Sequence, residues 1–436
     1  MKKLSVVTVM ILAILVVAGF PCYGQGNPII YGCYQKNNGQ LRVVTDSNSC
    51  KNSEIPISWY SVGPGIPVSN SITVDCSAGQ TISHALQQIP GNPLTITVKG
   101  TCNENVQIIR DDVTLIGHPS GGGVNGIDPH NDTIWVRASR TIIDSLTITG
   151  GYNGITVNVS ATIQNSTIKN AGVNGISFYH GGRGLVDNCM ITNNSHFGIL
   201  VEAASATITN STISSNAAAG ILVKSGGGAR IGIPDRSVGA TSYAGNMIKD
   251  NQSNGITIFD GAGADIGGNT ISGNGTNPNA PWGQFGIKVD NASADIVGGN
   301  TITGNVGSGI LLKSGTVLIG DTGYGLPTDN AITGNGFGSS INPGGILAFM
   351  GTSLDIRDAT ITGNANFGIL LIFSSYARMR EDTVDNGIVI LDNSGLRLQD
   401  PVVTVTGGLH CGGNSHYTSD SDLSGVTGGL DGCSPF

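Results

Sequence analysis

Short apolar runs recur along the chain inside a fixed polar frame. Asn300-Thr301-Ile302-Thr303-Gly304-Asn305 is followed, four residues on, by Gly309-Ile310-Leu311-Leu312. Thr270-Ile271-Ser272-Gly273-Asn274 and Thr360-Ile361-Thr362-Gly363-Asn364 repeat the first half; Gly198-Ile199-Leu200-Val201 and Gly368-Ile369-Leu370-Leu371 repeat the second. Alternation over so few positions predicts short strands with one buried face. Gly-Ile landmarks at Gly154, Gly175, Gly198, Gly220, Gly255, Gly286, Gly309, Gly345, Gly368 and Gly387 are spaced by 21, 23, 22, 35, 31, 23, 36, 23 and 19 residues. The base period is about 22, and the longer steps are one period plus an insertion, around 225–245, 275–284 and 320–344.

Three strand signals per period, divided by Asn and Gly, predict a coil that stacks on its neighbours. Ile155, Ile176, Ile199, Ile221, Ile256, Ile287, Ile310, Ile346 and Ile369 should form one inward ladder. Two sets of Asn flank the Thr-Ile pairs: Asn165, Asn188, Asn210, Asn269 and Asn300 before them, and Asn170, Asn194, Asn251, Asn274, Asn305, Asn335 and Asn364 after them. Asn tolerates left-handed turns and its amide stacks along such a column, so these residues read as structural. Cys189 stands where other coils have Ser166 and Ser211, which makes it a small stacked residue rather than a nucleophile. The pattern over roughly residues 72–400 resembles the right-handed parallel β-helix, or pectate-lyase-like, superfamily. The resemblance implies an all-β solenoid and leaves the activity open.

Ahead of the repeat, Ile82, Ala85, Leu86 and Ile89 have the spacing of a short amphipathic helix, with Thr81 as N-cap and Pro90-Gly91 as stop. It would cover the open end of the column. Met1-Lys2-Lys3 and the apolar run Leu4–Ala18 read as a secretory signal over 1–24. Residues 25–62 read as a small module with a turn at Asn37-Asn38-Gly39, 63–71 as a linker, 72–406 as the capped β-helix and 407–436 as a tail. Export permits disulfides, and local neighbours suggest Cys33–Cys50, Cys76–Cys102 and Cys411–Cys433. The expected location is secreted, periplasmic or on the cell surface of a bacterium.

Charged residues are only 11% of the chain and the net charge is −8, so the basic footprint of a nucleic-acid binder is missing. Function should then sit on outward rows, where coils about 4.8 Å apart turn a column into a stripe. One row, just before an inward Ile, reads Arg230, Asp265, Asp295, Leu318, Asp355, Arg378, Arg397. Its adjacent Asp265 and Asp295 could shift each other's pKa or share a cation, and Ca²⁺ is the ion that the resemblance suggests. A second row, Asn158, Tyr179, Glu202, Lys224, Phe259, Asp290, Lys313 and Phe349, mixes aromatic and charged residues as a glycan-binding face does. A third, Leu200, Leu222, Lys288, Leu311, Leu347 and Leu370, is apolar and demands a cover, from the insertions or from a partner chain. Asp128-Pro129-His130 resembles part of the catalytic motif of the alginate C5-epimerases, which share the fold; it implies a proton-abstracting site at Asp128 and His130.

The expectation is therefore a protein that binds polysaccharide or a cell-surface glycan through Tyr179, Glu202, Lys224, Phe259, Asp290, Lys313 and Phe349. The residues leave two other readings open. One is a lyase, hydrolase or epimerase of acidic polysaccharide that uses Asp265, Asp295 and Arg230. The other is a structural or adhesive surface protein that meets a partner or itself through the leucines.

Overall fold

The computed structural model describes residues 29–35, 40–46, 49–60, 70–233, 242–280, 283–320, 329–338, 343–399, 403–420 and 423–435. The chain divides into two compact units, 1–67 and 68–436. The signal segment, the turn at Asn37-Asn38-Gly39 and most of the 63–71 linker lie outside the described residues.

In the first unit, strands Ile29–Gln35, Leu41–Val44 and Glu54–Tyr60 form an antiparallel sheet with the first strand in the middle. So small a unit has little core, and the Cys33–Cys50 disulfide and the Arg42–Glu54 ion pair at 2.7 Å staple it.

The second unit is a right-handed parallel β-solenoid of about 15 turns. Each coil carries three short strands, as in Ser205–Thr209, Thr212–Ser214 and Ile221–Lys224. The first and second strands of every coil merge into one sheet of 28, and the third strands stack into a sheet of 14. Pairing is parallel and in register, so like residues stack. The ladder from Ile155 to Ile369 is continuous through the third column, with every member fully buried. The landmark glycines are required by close approach: a Cβ on Gly198 would lie 2.6 Å from the carbonyl oxygen of Gly220. Residues 407–435, set apart in the sequence as a tail, add strands to the same columns, with Leu409 on Ile388 and Leu430 on Leu409. The Cys76–Cys102 and Cys411–Cys433 disulfides are present, and Cys189 is buried and unpaired.

The amphipathic segment is the helix Ile82–Gln88, capped by Thr81, whose hydroxyl accepts from His84 N–H. Its first turn also rests on Glu104, which accepts from the amides of Ile82 (2.7 Å) and Ser83 (3.0 Å). At its other end Arg110 donates to the carbonyls of Leu86, Ile89 and Gly91. A carboxylate at the start and a guanidinium at the end satisfy the backbone groups that a helix leaves unpaired.

The asparagines do two different jobs. One buried ladder runs Asn194, Asn216, Asn251, Asn274, Asn305, Asn335, Asn364, each side-chain amide donating to the next carbonyl oxygen at 2.9–3.0 Å. A second runs Asn246, Asn269, Asn300, Asn330. Ser166, Cys189 and Ser211 occupy its column in earlier coils: Cys189 N–H donates to the Ser211 hydroxyl, and Ser211 N–H to Asn246. Asn165, Asn170, Asn188 and Asn210 lie outside these buried ladders, as exposed residues in the left-handed turns expected of Asn, with φ near +50°; Asn188 still stacks on Asn165, its amide donating to Asn165 Oδ1 at 2.8 Å.

The leucine row has the cover expected of it, but neither from the insertions nor from a partner chain. Its side chains point away from the main core, yet Leu200, Leu222, Leu311, Leu347 and Leu370 are only 1–7% exposed. The cover comes from the residue just before the landmark glycine. Phe197, Ala218 and Ala219 pack over Leu200 and Leu222; Phe367 packs with Leu311, Leu347 and Leu370. Before Gly154, Gly175 and Gly255 that preceding residue is Asn and the row holds a hydroxyl instead: Asn153 bonds Thr156, Asn174 bonds Ser177 and Asn254 bonds Thr257. The leucines therefore need no partner chain.

One ladder position carries a charge. Asp382 lies in the second asparagine column, 1% exposed, and accepts from the amides of Ala359 and Arg380. Burial outweighs these bonds and pushes its pKa up to about 7. The folded state thus holds a proton that the unfolded chain has released between about pH 4 and pH 7. This group's contribution must fall as pH rises through that window. Thermal melts from pH 4 to 8 should show Asp382→Asn gaining on the wild type, on the order of 3 kcal/mol across the range. A constant difference between the two would contradict this account.

Candidate functional site

The outer face of the first-strand column carries a groove of about 1140 Å³. It spans seven successive coils, from strand Thr141–Asp144 to strand Ser293–Gly298. At about 4.8 Å per coil, the six steps cover roughly 29 Å. Its floor is made largely of small residues that stack at strand starts, Ser205, Gly228, Gly263 and Ser293; upstream, Arg183 interrupts this column between Ser160 and Ser205. With little side chain there, a trough opens between the longer residues on either side.

Beside that floor stands the row read from the sequence, in the register expected: Arg230 on Asp265, Asp265 on Asp295, then Leu318, Asp355, Arg378 and Arg397. Arg230, Asp265 and Asp295 line the groove; the later members do not. Arg230 Nε is 4.0 Å from a carboxylate oxygen of Asp265. Burial, and then the charge of Asp265, raise the pKa of Asp295. Two carboxylates one coil apart, one of them biased toward its protonated form, are equipped to donate or accept protons or to bond sugar hydroxyls.

Arg140, Arg183 and Asp187 also line the groove and were missed in the sequence. The signal was available: the same row continues upstream through Thr207, Leu185 and Thr162, and Arg183 and Asp187 end the Leu185 strand. Arg140 is paired with Asp112 at 2.5 Å, and Asp187 accepts from the Thr209 hydroxyl and the Asn210 amide. Arg183 makes no ion pair among the described residues. The N-terminal coils of the groove thus offer Arg183 without an ion pair, and the C-terminal coils the acids Asp265 and Asp295.

The aromatic and charged row lies on a different sheet. Tyr179, Glu202 and Lys224 stack there, and so do Phe259, Asp290, Lys313 and Phe349. Tyr179 and Phe259 pack on the Leu200–Leu222 cluster, and Phe349 packs on Leu311 and Leu347. Lys224 pairs with Glu202 at 3.1 Å; Asp290 is buried between Lys288 (3.3 Å) and Lys313 (3.4 Å). Much of this row is committed to covering leucine and to pairing charge. Asp128 and His130 are also apart from the groove acids, five coils from Asp265 by the third-column stacking, or about 24 Å along the axis. The Asp128 carboxylate accepts from His130 N–H and Asn131 Nδ2, and these bonds lower its pKa. It closes a local turn.

Calcium takes six to eight oxygens, several of them from carboxylates. Asp265 and Asp295 offer two carboxylates with a guanidinium beside them. Among the described residues, the one cluster of three ligand-bearing side chains close enough for a metal is Cys33, Cys50 and Glu54, whose cysteines are bonded to each other. The groove residues by themselves do not fit a calcium site.

The family model described as "Right handed beta helix region" matches residues 120–233 and 204–384. The chain belongs to this β-helix family. Among curated proteins, no sequence matches the chain. Solved structures similar to this β-helix include pectate lyase Pel9A, at 16% identity, covering 68% of this chain and 79% of that one with a TM-score of 0.41. The mannuronan C-5 epimerase AlgE6 A-module of Azotobacter vinelandii is similar at 13% identity, over 81% and 92% of the two chains, with a TM-score of 0.38. A mannuronic acid specific polysaccharide family 6 lyase from human gut microbiota is similar at 10%, over 81% and 87%, with a TM-score of 0.34. These are likenesses of winding only. No helix among the described residues is long and apolar enough to cross a membrane.

Proposed function

We propose that this β-helix protein is exported and binds one strand of an extended polysaccharide in the groove of its first-strand face. The carrying observation is the trough itself: seven coils long, floored largely by Ser and Gly, and lined by Arg183, Arg230, Asp265 and Asp295. A polymer with regularly spaced hydroxyls suits a site that repeats its polar groups at every coil. The three disulfides fit an oxidising destination, whether secreted, periplasmic or on the cell surface.

A second reading is catalysis on an acidic polysaccharide, by hydrolysis, elimination or epimerisation. The observation that favours it is the Asp265–Asp295 pair, with Asp295 biased toward its protonated form. Incubation with pectate, alginate, hyaluronan and neutral glucans, with and without Ca²⁺, separates the two readings. The binding reading expects retention on affinity gels with no new reducing ends, unsaturated products or epimerised residues. Product formation that drops about 10²- to 10⁴-fold in Asp295→Asn makes the protein an enzyme. Neither retention nor product on any polymer refutes both.

A further inference from the structure

Beyond the groove, the same outer face carries a grid of a different character on its C-terminal coils. Successive strands place Ser353, Asp355 and Arg357 over Tyr376, Arg378 and Arg380, then Gly395 and Arg397, then His416 and Thr418. None of these residues lines the groove.

Two features of the grid point to a ligand. The first is a ring platform. Tyr376 and His416 lie one coil to either side of Gly395 in one outward column, and both rings lean over that glycine. A Cβ at Gly395 would lie 3.1 Å from Tyr376 Cδ2 and 3.0 Å from His416 Nε2. Glycine leaves room for both rings on this face, and Tyr376 remains 43% exposed. The second is a pair of guanidinium groups in the adjacent column. Arg378 and Arg397 stack on neighbouring coils, with side chains 40% and 43% exposed. Arg378 is held by Asp355, and Arg397 by Asp420 at 3.0 Å. Each guanidinium carries five donors, so a pair with one carboxylate orients it without exhausting it. Asp355 is itself shared with Arg357 at 2.8 Å; burial opposes its ionisation, and the two arginines more than offset that. On the far side, the next turn holds the acidic Asp358 and Glu381. An anion is therefore favoured over Arg378 and Arg397, next to the rings, and disfavoured beyond Arg380.

From this juxtaposition we propose a second glycan-binding surface, separate from the groove, in which Tyr376 and His416 stack a sugar ring while Arg378 and Arg397 bond its carboxylate or sulfate. A face of ring and fork-shaped donor side by side matches a sugar that presents an apolar ring face next to an anionic group. Carboxylated and sulfated sugars share this chemistry, and the probes distinguish them.

The test uses the full chain carrying Gly228→Trp, which fills the groove, so that titrations report this surface alone. Oligogalacturonate, its methyl ester and a sulfated oligosaccharide are titrated by calorimetry. The expected result is binding of at least one anionic sugar, at least tenfold weaker binding of the ester, and affinity that falls with added salt. Arg378→Gln/Arg397→Gln and Tyr376→Ala, checked for unchanged thermal midpoints, should each lose about tenfold or more. If a variant shifts the midpoint, Arg378→Lys keeps the charge without the fork and should still lose affinity. The proposal is overturned if neither anionic sugar binds, if the ester binds as well as the acid, or if the arginine variants bind as the parent does. Loss of groove binding with this surface intact would bear only on the groove.

Discussion

Asn305→Ala should lower the stability of the solenoid by about 3–5 kcal/mol, among the largest effects available to a single substitution here. Asn305 Oδ1 accepts from both the backbone N–H (3.1 Å) and the side-chain amide (3.0 Å) of Asn274. Its own amide donates to the carbonyl of Ile271 at 3.0 Å and to Asn335 Oδ1 at 2.9 Å. All of these groups are buried, so alanine leaves several of them without a partner where water cannot enter. Coils contact mainly their neighbours, so the loss should uncouple the two halves as well as weaken the whole. Denaturant unfolding followed by circular dichroism should show an earlier and broader transition. Asn170→Ala is the control: this exposed turn residue has φ of +56°, so the change should cost only about 1 kcal/mol. Equal losses at the two positions would contradict the ladder account.

Gly228→Trp should remove glycan binding in the groove at an unchanged thermal midpoint. Gly228 lies on the groove floor, its φ is outside the left-handed region, and a Cβ there would meet nothing within 4 Å. The backbone can carry a side chain, and the indole has only the trough to occupy. Gly263→Trp, where the nearest atom to a Cβ is Ser293 Oγ at 3.7 Å, should act in the same way one coil on. A loss of at least 100-fold in affinity is expected, since the ring displaces the polymer across neighbouring coils. Affinity titration paired with thermal melts checks both halves of the statement.

The winding was legible because each coil repeats its own evidence. The Ile ladder and the Arg230–Asp265–Asp295 row followed from a side-chain period of two, anchored on an inward Ile, and parallel in-register stacking carried the anchor from coil to coil. The cover over the leucines was not legible, because it depends on one residue outside the strand. Phe197 and Phe367 before the landmark glycine go with Leu200 and Leu370, whereas Asn174 goes with Ser177. Asn216, a full member of the buried ladder, was legible too, since it stands three residues after Ile213 as Asn194 does after Ile191, but it is absent from the set read in the sequence. The groove was half legible. Asp265 and Asp295 stood out as charges in a sparsely charged chain, but a trough is defined by its walls and floor, and those draw on strand ends and turns from seven coils. Pairing also decided what the lateral row could offer: Asp290 reads as a ligand-binding acid in sequence and lies buried between two lysines in the fold.

The most direct test is native affinity electrophoresis of the wild-type protein and Gly228→Trp through gels containing pectate, alginate, hyaluronan or a neutral glucan. At least one polymer should retard the wild type, and Gly228→Trp should migrate through the same gel with much of that retardation removed. Retardation of both proteins to the same extent would place glycan binding outside the groove, and free migration of the wild type in every gel would contradict glycan binding by this fold.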